Sequence, residues 1–277
     1  MGNAGQLSTL PPTWSQLTEE EVHQFIQQGY LVVRKVFSRE LAQRIVPLVW
    51  TELDVDPNDT STWTSPKVML RKVLEMQPCP QILTQRYVGA IDDICGPRRW
   101  AATRGVGHWV ILPPGFAHPP WGPPKSGWHV DINLDHPCID SPGFGLITLE
   151  LFSDIEPGGG GTAIRVGSHC YLARILAESG PDQLTERELL LRAVADTKHL
   201  RIAEVTGQTG DVLLMHPFTM HAGTENIRER TRIAAIKLIR LHEPLNLARE
   251  DPLDYSPVEQ AIINAVAEAW PRSRAEP

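Results

Sequence analysis

The sequence predicts a mainly β protein with flanking helices, whose strands form an antiparallel sandwich or barrel. From residue 100 to residue 241, short β-branched and apolar runs are separated by turns rich in glycine and proline, which is typical of such folds. Before residue 100, apolar residues recur at helical spacing behind serine and threonine residues that can cap a helix. With 42% hydrophobic and 21% charged residues among 277, the chain can bury a sizeable core.

The segment 1–99 is predicted to be mainly helical. Thr18 and Glu21 have the spacing of a capping box, and Gly29 is suited to end the helix that they start. Ser38 can cap a second helix. The other predicted features are a loose arm at 1–16, a strand at 30–36, a loop at 54–68 and a helix at 80–95. We expect these helices to support the strands that follow.

The segment 100–241 carries most of the predicted strands, each short and rich in apolar or β-branched residues. The predicted strands are 106–112, 145–152, 162–166, 200–205, 211–215 and 232–241. A helical insert is predicted at about 171–195, and a final helix in 242–277 that reaches about Trp270. The whole chain, 1–277, is expected to form one domain.

Composition and charge exclude several classes of partner. The net charge is −7 and no block of five or six like charges occurs, so we expect neither a nucleic-acid nor a membrane partner. No apolar run approaches the length of a membrane span, and the N-terminus lacks the pattern of a secretory signal. The four cysteines lie far apart without a CxxC pair, as in reduced cytoplasmic proteins. We therefore expect a cytoplasmic monomer or homodimer.

A histidine and a carboxylate stand two residues apart in the stretch 127–131, directly after a proline-rich loop. On a strand, residues i and i+2 point to the same face, so His129 and Asp131 can reach one point together. One imidazole and one carboxylate are two of the three ligands of the 2-His-1-carboxylate triad that holds non-haem Fe(II). Alone, such a triplet is more often a polar strand edge, so the assignment depends on a third ligand elsewhere.

The region 210–232 offers that third ligand. His216 and His221 follow a predicted strand, and a histidine on a neighbouring strand is what the triad requires. Arg232 opens an apolar strand, where an inward guanidinium is costly unless it pairs with an anion. A planar guanidinium suits a carboxylate such as the far carboxylate of 2-oxoglutarate. A solvated arginine at a strand start is the alternative.

The order of these motifs resembles that of the phytanoyl-CoA dioxygenase family of Fe(II)- and 2-oxoglutarate-dependent oxygenases. The resemblance covers roughly residues 100–241. The matching positions are His129, Asp131, the glycines 158–161, Gly167-Ser168-His169, Gly210-Asp211, His221, Asn226 and Arg232. The resemblance implies a double-stranded β-helix (jelly-roll) core, with N-terminal helices buttressing one sheet. It also implies a non-haem dioxygenase that uses Fe(II), 2-oxoglutarate and O₂.

The resemblance implies a role for each residue of the candidate centre. His129, Asp131 and His221 would hold the iron. His221 has the family's spacing to Arg232, eleven residues on, and His216 does not. Arg232 would pair with the far carboxylate of 2-oxoglutarate.

Further contacts to 2-oxoglutarate are less complete than in the family. Many relatives carry serine two residues after the distal histidine; this chain has Gly223, which leaves the carboxylate one hydroxyl short. The hydroxyls of Thr148 and Thr162 are candidate replacements. A lysine contact that some relatives make has no certain counterpart here.

The substrate pocket is expected beside the metal ligands. His108 and Val110 share one face of their predicted strand, Trp128 precedes the first ligand, and His216 lies near the distal one. The aromatic, proline-rich segment 108–128 favours a small and partly apolar organic substrate. The implied reaction oxidises a C–H bond, with hydroxylation as the default. Desaturation, epimerisation or cyclisation, as in secondary metabolism, are the other outcomes.

Two other functions fit parts of the pattern. A cupin-like metalloenzyme that does not use 2-oxoglutarate would share the fold but would have no use for Arg232. A catalytically silent jelly-roll binding protein would not need to keep all three metal ligands.

Overall fold

The structure is a computed structural model, and it describes residues 14–53, 55–132, 137–140, 143–180 and 184–269. Within these ranges the helices are α1 (Glu19–Gln28), α2 (Arg39–Trp50), α3 (Gln85–Cys95), α4 (Ser168–Ser179), α5 (Glu186–Thr197) and α6 (Pro257–Ala269). The strands are β1 (Tyr30–Val33), β2 (Val68–Leu70), β3 (His108–Leu112), β4 (Leu146–Leu151), β5 (Ala163–Arg165), β6 (Ile202–Glu204), β7 (Val212–Met215), β8 (His221–Ala222) and β9 (Arg232–Ile239). Residues 1–13 of the predicted arm and Trp270 lie outside the described residues.

Two antiparallel sheets form the centre of the fold. The larger sheet has the strand order β1-β7-β4-β9-β3-β2, and the smaller sheet has the order β6-β5-β8. Most paired strands are not consecutive in the chain: β4 pairs with β7 and β9, and β5 pairs with β8 as well as with β6. This arrangement is the jelly roll, so the predicted fold class is confirmed.

Side chains of both sheets meet in an interior core. The larger sheet contributes Ile147 and Leu149 of β4 together with Ala234 of β9, and Ile164 of β5 and Val205 join them from the smaller sheet. Because side chains alternate along a strand, the residues between these positions face the opposite side of their sheet. The interior core thus identifies which face of each strand is directed into the barrel.

The N-terminal helices and α6 cover the other face of the larger sheet. A second core on this side includes Phe25 of α1, Ile45 of α2, Ile91 of α3, Val258 of α6, Val33 of β1, Trp109 of β3 and Leu214 of β7. Burying each such side chain contributes roughly 1.5–3 kcal/mol. Helices therefore buttress one sheet, as the sequence predicts. Within the described ranges, no helix combines the length and apolar character needed to cross a membrane.

A buried polar cluster joins α3 to the helix-covered face of the larger sheet. The Tyr87 hydroxyl donates to Glu150 Oε1 at 2.5 Å and lies 2.7 Å from Thr148 Oγ1. Lys237 Nζ lies 3.4 Å from the same Glu150 oxygen and donates to the Gly105 carbonyl at 2.9 Å. The buried carboxylate is thus paired with a cation and hydrogen-bonded, which offsets the cost of removing both charges from water.

The helix caps follow the sequence signals. Thr18 and Glu21 form the predicted capping box, and Gly29 ends α1 with a φ of 80°. The Ser38 side chain accepts from the Leu41 amide at the start of α2. These caps satisfy backbone groups that the helices cannot pair internally.

Two predictions in the N-terminal segment are wrong in detail. The predicted helix at 80–95 is a short 3-10 turn (Cys79–Ile82) followed by α3, because Thr84 caps a new start through the Tyr87 amide. Strand β2 was not predicted, and it begins at Val68, the last residue of the predicted loop 54–68. It pairs only with β3 and forms one edge of the larger sheet.

Two histidines are buried where α1, α4 and α6 meet the turn after β7. His169 Nε2 donates to the Ile26 carbonyl at 2.9 Å, and His216 Nε2 donates to the Val258 carbonyl at 3.3 Å. Burial lowers the pKa of His169 to about 4. Burial, and then the nearby His169, lowers the pKa of His216 well below its ordinary value. The folded protein therefore keeps both rings neutral at a pH where the unfolded chain protonates them.

We predict that the free energy of unfolding falls as the pH drops below about 6.5. The unfolded state then binds protons that the folded state excludes, so stability is lost until the pH reaches the folded-state pKa of His169, about 4. For His169 alone, the loss between pH 7.5 and pH 5 is about 2 kcal/mol, measurable by urea unfolding. His169→Gln should flatten this dependence, and exposed His23→Gln should not. An unchanged slope in His169→Gln would contradict the assignment.

Candidate metal centre

His129 and His221 lie directly opposite each other on two paired backbone segments. The amide of each donates to the carbonyl of the other, at 3.0 Å in both directions. Strand β8, which contains His221, also pairs with β5. The segment with His129 thus extends the smaller sheet, although it makes one antiparallel bridge rather than a full strand. This pairing brings the centroids of the two imidazole rings within 4.3 Å.

Each of these imidazoles is oriented by a backbone carbonyl two residues earlier. Nδ1 of His129 lies 2.8 Å from the Gly127 carbonyl, and Nδ1 of His221 lies 3.0 Å from the Thr219 carbonyl. A carbonyl only accepts, so Nδ1 carries the proton and Nε2 keeps its lone pair in each neutral ring. A histidine held in this way presents Nε2 as a metal ligand.

Asp131 faces the same point as the two histidines. Its carboxylate oxygens lie 3.9 Å from His129 Nε2 and 3.5 Å from His221 Nε2, and one ligand atom from each residue lies within 4.8 Å of the others. With both rings neutral, three acceptor atoms face one another with no proton between them. A divalent cation removes that repulsion, so this donor set fits Fe(II).

The surroundings favour the protonation state that metal binding requires. Burial, and then the neighbouring His221, lowers the pKa of His129 below its ordinary value. Burial opposes ionisation of Asp131, but its contact with His221 and the charges of the two histidines bring its pKa below the ordinary value overall. The cluster therefore offers a neutral imidazole and a carboxylate at neutral pH. The side chains of His129 and Asp131 are 45% and 31% exposed, which leaves access for other ligands.

Arg232 is buried, and no carboxylate of the described residues pairs with it. It lies on β9 two residues before Ala234 and so faces the interior core. Its Nη1 donates to the Val110 carbonyl at 3.2 Å, and among the described residues its Nε has no partner and no carboxylate pairs with it. Burial lowers the pKa of Arg232 from 12.5 to about 10, so it stays cationic at neutral pH. An unpaired buried cation is costly, and the interior is therefore suited to an anionic ligand.

Thr148 faces away from the interior, which corrects its predicted contact with 2-oxoglutarate. Its neighbours on β4, Ile147 and Leu149, face into the barrel, so Thr148 points to the helices. There its hydroxyl lies 2.7 Å from that of Tyr87 and 3.3 Å from a Glu150 oxygen. Strand alternation separates this hydroxyl from Arg232.

Thr162 and Gly223 keep positions compatible with their predictions. Thr162 lies two residues before Ile164, which belongs to the interior core, so its side chain is directed to that face. Gly223 is exposed and lies two residues after His221. A Cβ added at Gly223 would have no heavy atom within 4 Å, so the space for a small hydroxyl side chain is open.

The four predicted pocket residues divide into two groups. His108 and Val110 pair with Ile236 and Ala234 of β9, both of which face the interior core, so they lie on the interior face as predicted. His108 is exposed and Val110 is buried. This wall of the barrel is therefore part apolar and part accessible.

Trp128 and His216 lie elsewhere, which corrects their predicted place in the pocket. Trp128 alternates with His129 and turns to the outer core, where the Arg165 guanidinium carbon lies 4.4 Å from its ring centroid. His216 is fully buried, and its Nδ1 accepts from the Phe218 amide at 3.1 Å. It therefore stabilises the turn after β7.

Lys67 is a candidate site residue that the sequence analysis missed. It precedes β2, in which Met69 pairs with Val110, so both Lys67 and Met69 are directed to the interior side. Burial is the main cause of the lowered pKa of His129, and the charge of Lys67 adds to it, so this lysine lies near the metal ligands. The short apolar run 68–70, flanked by Lys67 and Arg71, was the available signal for a strand here.

The fold and the cluster together define a class, the jelly-roll proteins with a 2-His-1-carboxylate centre. The sequence model of the phytanoyl-CoA dioxygenase (PhyH) family matches residues 25–234, so the chain belongs to this family. The predicted family is confirmed, and with it the class of non-haem Fe(II)- and 2-oxoglutarate-dependent dioxygenases.

One sequence relative and two solved structures are similar to this chain. The iron/alpha-ketoglutarate-dependent dioxygenase ausU of Aspergillus calidoustus is 23% identical over 259 residues, which cover 85% of this chain and 77% of that protein. The carbocyclase SnoK from nogalamycin biosynthesis has a TM-score of 0.54 at 16% identity, over 85% of this chain and 88% of its own. HygX from Streptomyces hygroscopicus, with nickel and 2-oxoglutarate bound, has a TM-score of 0.51 at 16% identity, over 82% and 88%. The solved structures share the fold.

We predict that the wild-type protein binds one Co(II) ion, used as a spectroscopic substitute for Fe(II). His221→Ala should weaken this binding on the order of 100-fold or more. Loss of a group that only hydrogen-bonds a metal ligand lowers metal affinity about 10- to 100-fold, and loss of the ligand itself should cost more. Isothermal titration calorimetry measures the affinity. His108→Ala, which removes an exposed histidine outside the cluster, should bind Co(II) as the wild type does. Equal affinity of His221→Ala and the wild type would refute the assignment.

Proposed function

We propose that this protein is an Fe(II)- and 2-oxoglutarate-dependent oxygenase that oxidises a C–H bond of a small organic molecule, with hydroxylation as the default outcome. His129, Asp131 and His221 would hold Fe(II), and their exposed side would admit further ligands. When bound, the iron with 2-oxoglutarate supplies O₂ activation, with release of CO₂ and succinate. The residues of the chain bind, orient and shield these groups.

The burial of Arg232 is the main observation in favour of 2-oxoglutarate as the cosubstrate. A buried guanidinium with no carboxylate partner among the described residues favours an anionic ligand that completes the pair. Its planar fork suits a carboxylate, and the far carboxylate of 2-oxoglutarate has that chemistry. A cupin-like enzyme without this cosubstrate would gain nothing from a cation at this position. The same argument disfavours a silent binding protein, since the metal ligands and the cation are present together.

Lys67 is proposed as the second cation of the cosubstrate site. It would correspond to the lysine contact of some relatives, for which the sequence alone gave no certain counterpart. The register of β2 against β3, continued by one residue, brings Lys67 opposite Leu112, and Leu112 pairs with Arg232. Two cations thus flank one apolar residue on the interior face. Thr162 is proposed to add a hydroxyl donor from the opposite sheet. Two positive charges suit a dianion such as 2-oxoglutarate.

The chain also controls the surroundings of the reaction. The Gly127 and Thr219 carbonyls hold the two imidazoles in one orientation, so Nε2 is presented without rearrangement. Asp131 supplies the third protein ligand; halogenation would require a small residue there, so we do not propose it. Apolar residues of the interior core exclude water from one side of the centre.

We propose a small, partly apolar substrate of secondary metabolism, bound beside β2 and β3. Val110 and the 38% exposed Met69 offer an apolar wall, and His108 offers a polar group next to it. Among the similar structures, SnoK is named as a carbocyclase and SnoN as an epimerase, the latter with a TM-score of 0.55 at 14% identity over 87% of this chain. Cyclisation, epimerisation and desaturation are therefore the alternatives to hydroxylation.

The organisation of the chain forms part of the proposal. We propose one domain, because a single buried cluster runs from Leu17 to Ala265 through the helices and the larger sheet. A cytoplasmic location is supported by Cys79 and Cys95, which are buried free thiols. A monomer or homodimer without a nucleic-acid partner is proposed from the charge pattern of the sequence.

Anaerobic addition of Fe(II) and 2-oxoglutarate should give a visible charge-transfer absorption band, which tests the proposed function directly. Arg232→Gln should raise the 2-oxoglutarate concentration at half-maximal absorbance on the order of 10- to 100-fold, because a hydrogen bond to a charged group contributes roughly 1.5–3 kcal/mol. Arg228→Gln is the matched control, since Arg228 is exposed and its side chain donates to the Pro157 carbonyl at 2.8 Å. No band in folded wild-type protein would refute the proposal, and equal half-saturation in Arg232→Gln would refute the carboxylate site.

Gly223→Ser should tighten 2-oxoglutarate binding about two- to ten-fold, by adding the hydroxyl that many relatives have. The open space around the new Cβ predicts that the substitution leaves the melting temperature unchanged. The same titration measures the effect. Gly122→Ser, also in open space but in the proline-rich loop, should leave the affinity as it is. Weaker or unchanged binding in Gly223→Ser would contradict a position beside the cosubstrate.

A further inference from the structure

Arg165 is a buried arginine on the side of the smaller sheet opposite the interior core. It is the last residue of β5, and only 7% of its surface is exposed. Its Nη1 donates to the Val194 carbonyl and to the Thr197 hydroxyl, each at 2.8 Å. Both acceptors belong to the last turn of α5, where the carbonyl end of the helix dipole favours a cation. Among the described residues no carboxylate pairs with Arg165, and its Nε has no hydrogen-bond partner.

The guanidinium of Arg165 lies over the ring of Trp128, with its central carbon 4.4 Å from the ring centroid. A cation over an indole ring contributes roughly 0.5–2 kcal/mol, with the higher value where water is excluded. The indole is fixed at its other end, because Nε1 donates to the Pro124 carbonyl at 3.0 Å. Trp128 is thus held both by its face and by its edge.

Trp128 stands between the first metal ligand and the residue whose carbonyl orients that ligand. The residue before it, Gly127, supplies the carbonyl that accepts from His129 Nδ1 at 2.8 Å. The residue after it is His129 itself. A shift of the Trp128 backbone would move both the imidazole and the carbonyl that directs it, and an indole fixed at its face and its edge opposes such a shift. The backbone of Arg165 also contacts the other ligand-bearing segment, since its amide donates to the Met220 carbonyl at 3.0 Å.

We propose that Arg165 is a positioning residue for the metal centre, which fixes the direction of the His129 imidazole by stacking on Trp128. The inference rests on the proposed function, in that His129 is taken as a metal ligand. The Arg165 side chain joins the segment of His129, through Trp128, to the last turn of α5, and its backbone amide binds the segment of His221. The guanidinium donates to the last turn of α5 through Nη1 and stacks on Trp128 with its face, so it connects that helix end to the segment of His129.

The test compares Co(II) binding by Arg165→Met and the wild type. Methionine keeps much of the length and apolar contact but removes the charge and the planar stacking group. The dissociation constant for Co(II) should rise about 10- to 100-fold, the usual effect of losing a group that orients a metal ligand. The visible d–d spectrum of the bound Co(II) should also change, because the ligand geometry is altered. A residue that only stabilises the fold would leave that spectrum as it is.

Arg99→Met is the matched control, since Arg99 pairs with Glu259 at 3.0 Å near α6 and contacts neither ligand-bearing segment. It should lower stability without changing Co(II) affinity or the spectrum. If Arg165→Met does not fold, Arg165→Lys is measured instead and should show a weaker shift in the same direction. Wild-type affinity and spectrum in the folded Arg165 variant would overturn the inference alone. Failure of the wild type to bind Co(II) would overturn the proposed function.

Discussion

The backbone pairing of His129 with His221 is the contact on which the candidate centre depends. Two hydrogen bonds of 3.0 Å join these residues, so their side chains leave the backbone side by side. Strand alternation then brings Asp131 to the same face. Each ring is directed by a carbonyl two residues earlier in its own segment. Three candidate ligands from two distant parts of the chain therefore meet on two paired backbone segments.

The charges of the cluster and of Arg232 indicate which ligands this site can bind. Three acceptor atoms of the cluster repel one another unless a cation binds between them. The interior wall holds the buried cation Arg232, whose charge is costly unless an anion pairs with it. Both groups are costly to the free protein. A metal ion together with a dicarboxylate relieves both at once, and this complementarity is the physical basis of the proposed cosubstrate. Regions without such a role, such as the ion pair of Lys237 with Glu150, satisfy their charges within the protein.

The sequence predicted the jelly roll and the helix caps, and it singled out the three side chains that the fold brings together, because each depends on local spacing and strand alternation. It could not assign Thr148, since either face of β4 is buried and only the pairing register decides which one meets α3. Trp128 was misplaced because its neighbour His129 faces inward, and alternation turns the indole outward. Lys67 was missed because β2 is short and lies at a sheet edge, where the apolar pattern is weakest.

A crystal structure with 2-oxoglutarate and Mn(II), used in place of Fe(II), tests the central claim most directly. We predict one anomalous scattering peak from a Mn(II) ion that is coordinated by Nε2 of His129, Nε2 of His221 and a carboxylate oxygen of Asp131. We also predict the far carboxylate of 2-oxoglutarate on the guanidinium of Arg232. A metal bound elsewhere, or a cosubstrate whose carboxylate does not contact Arg232, would contradict this claim.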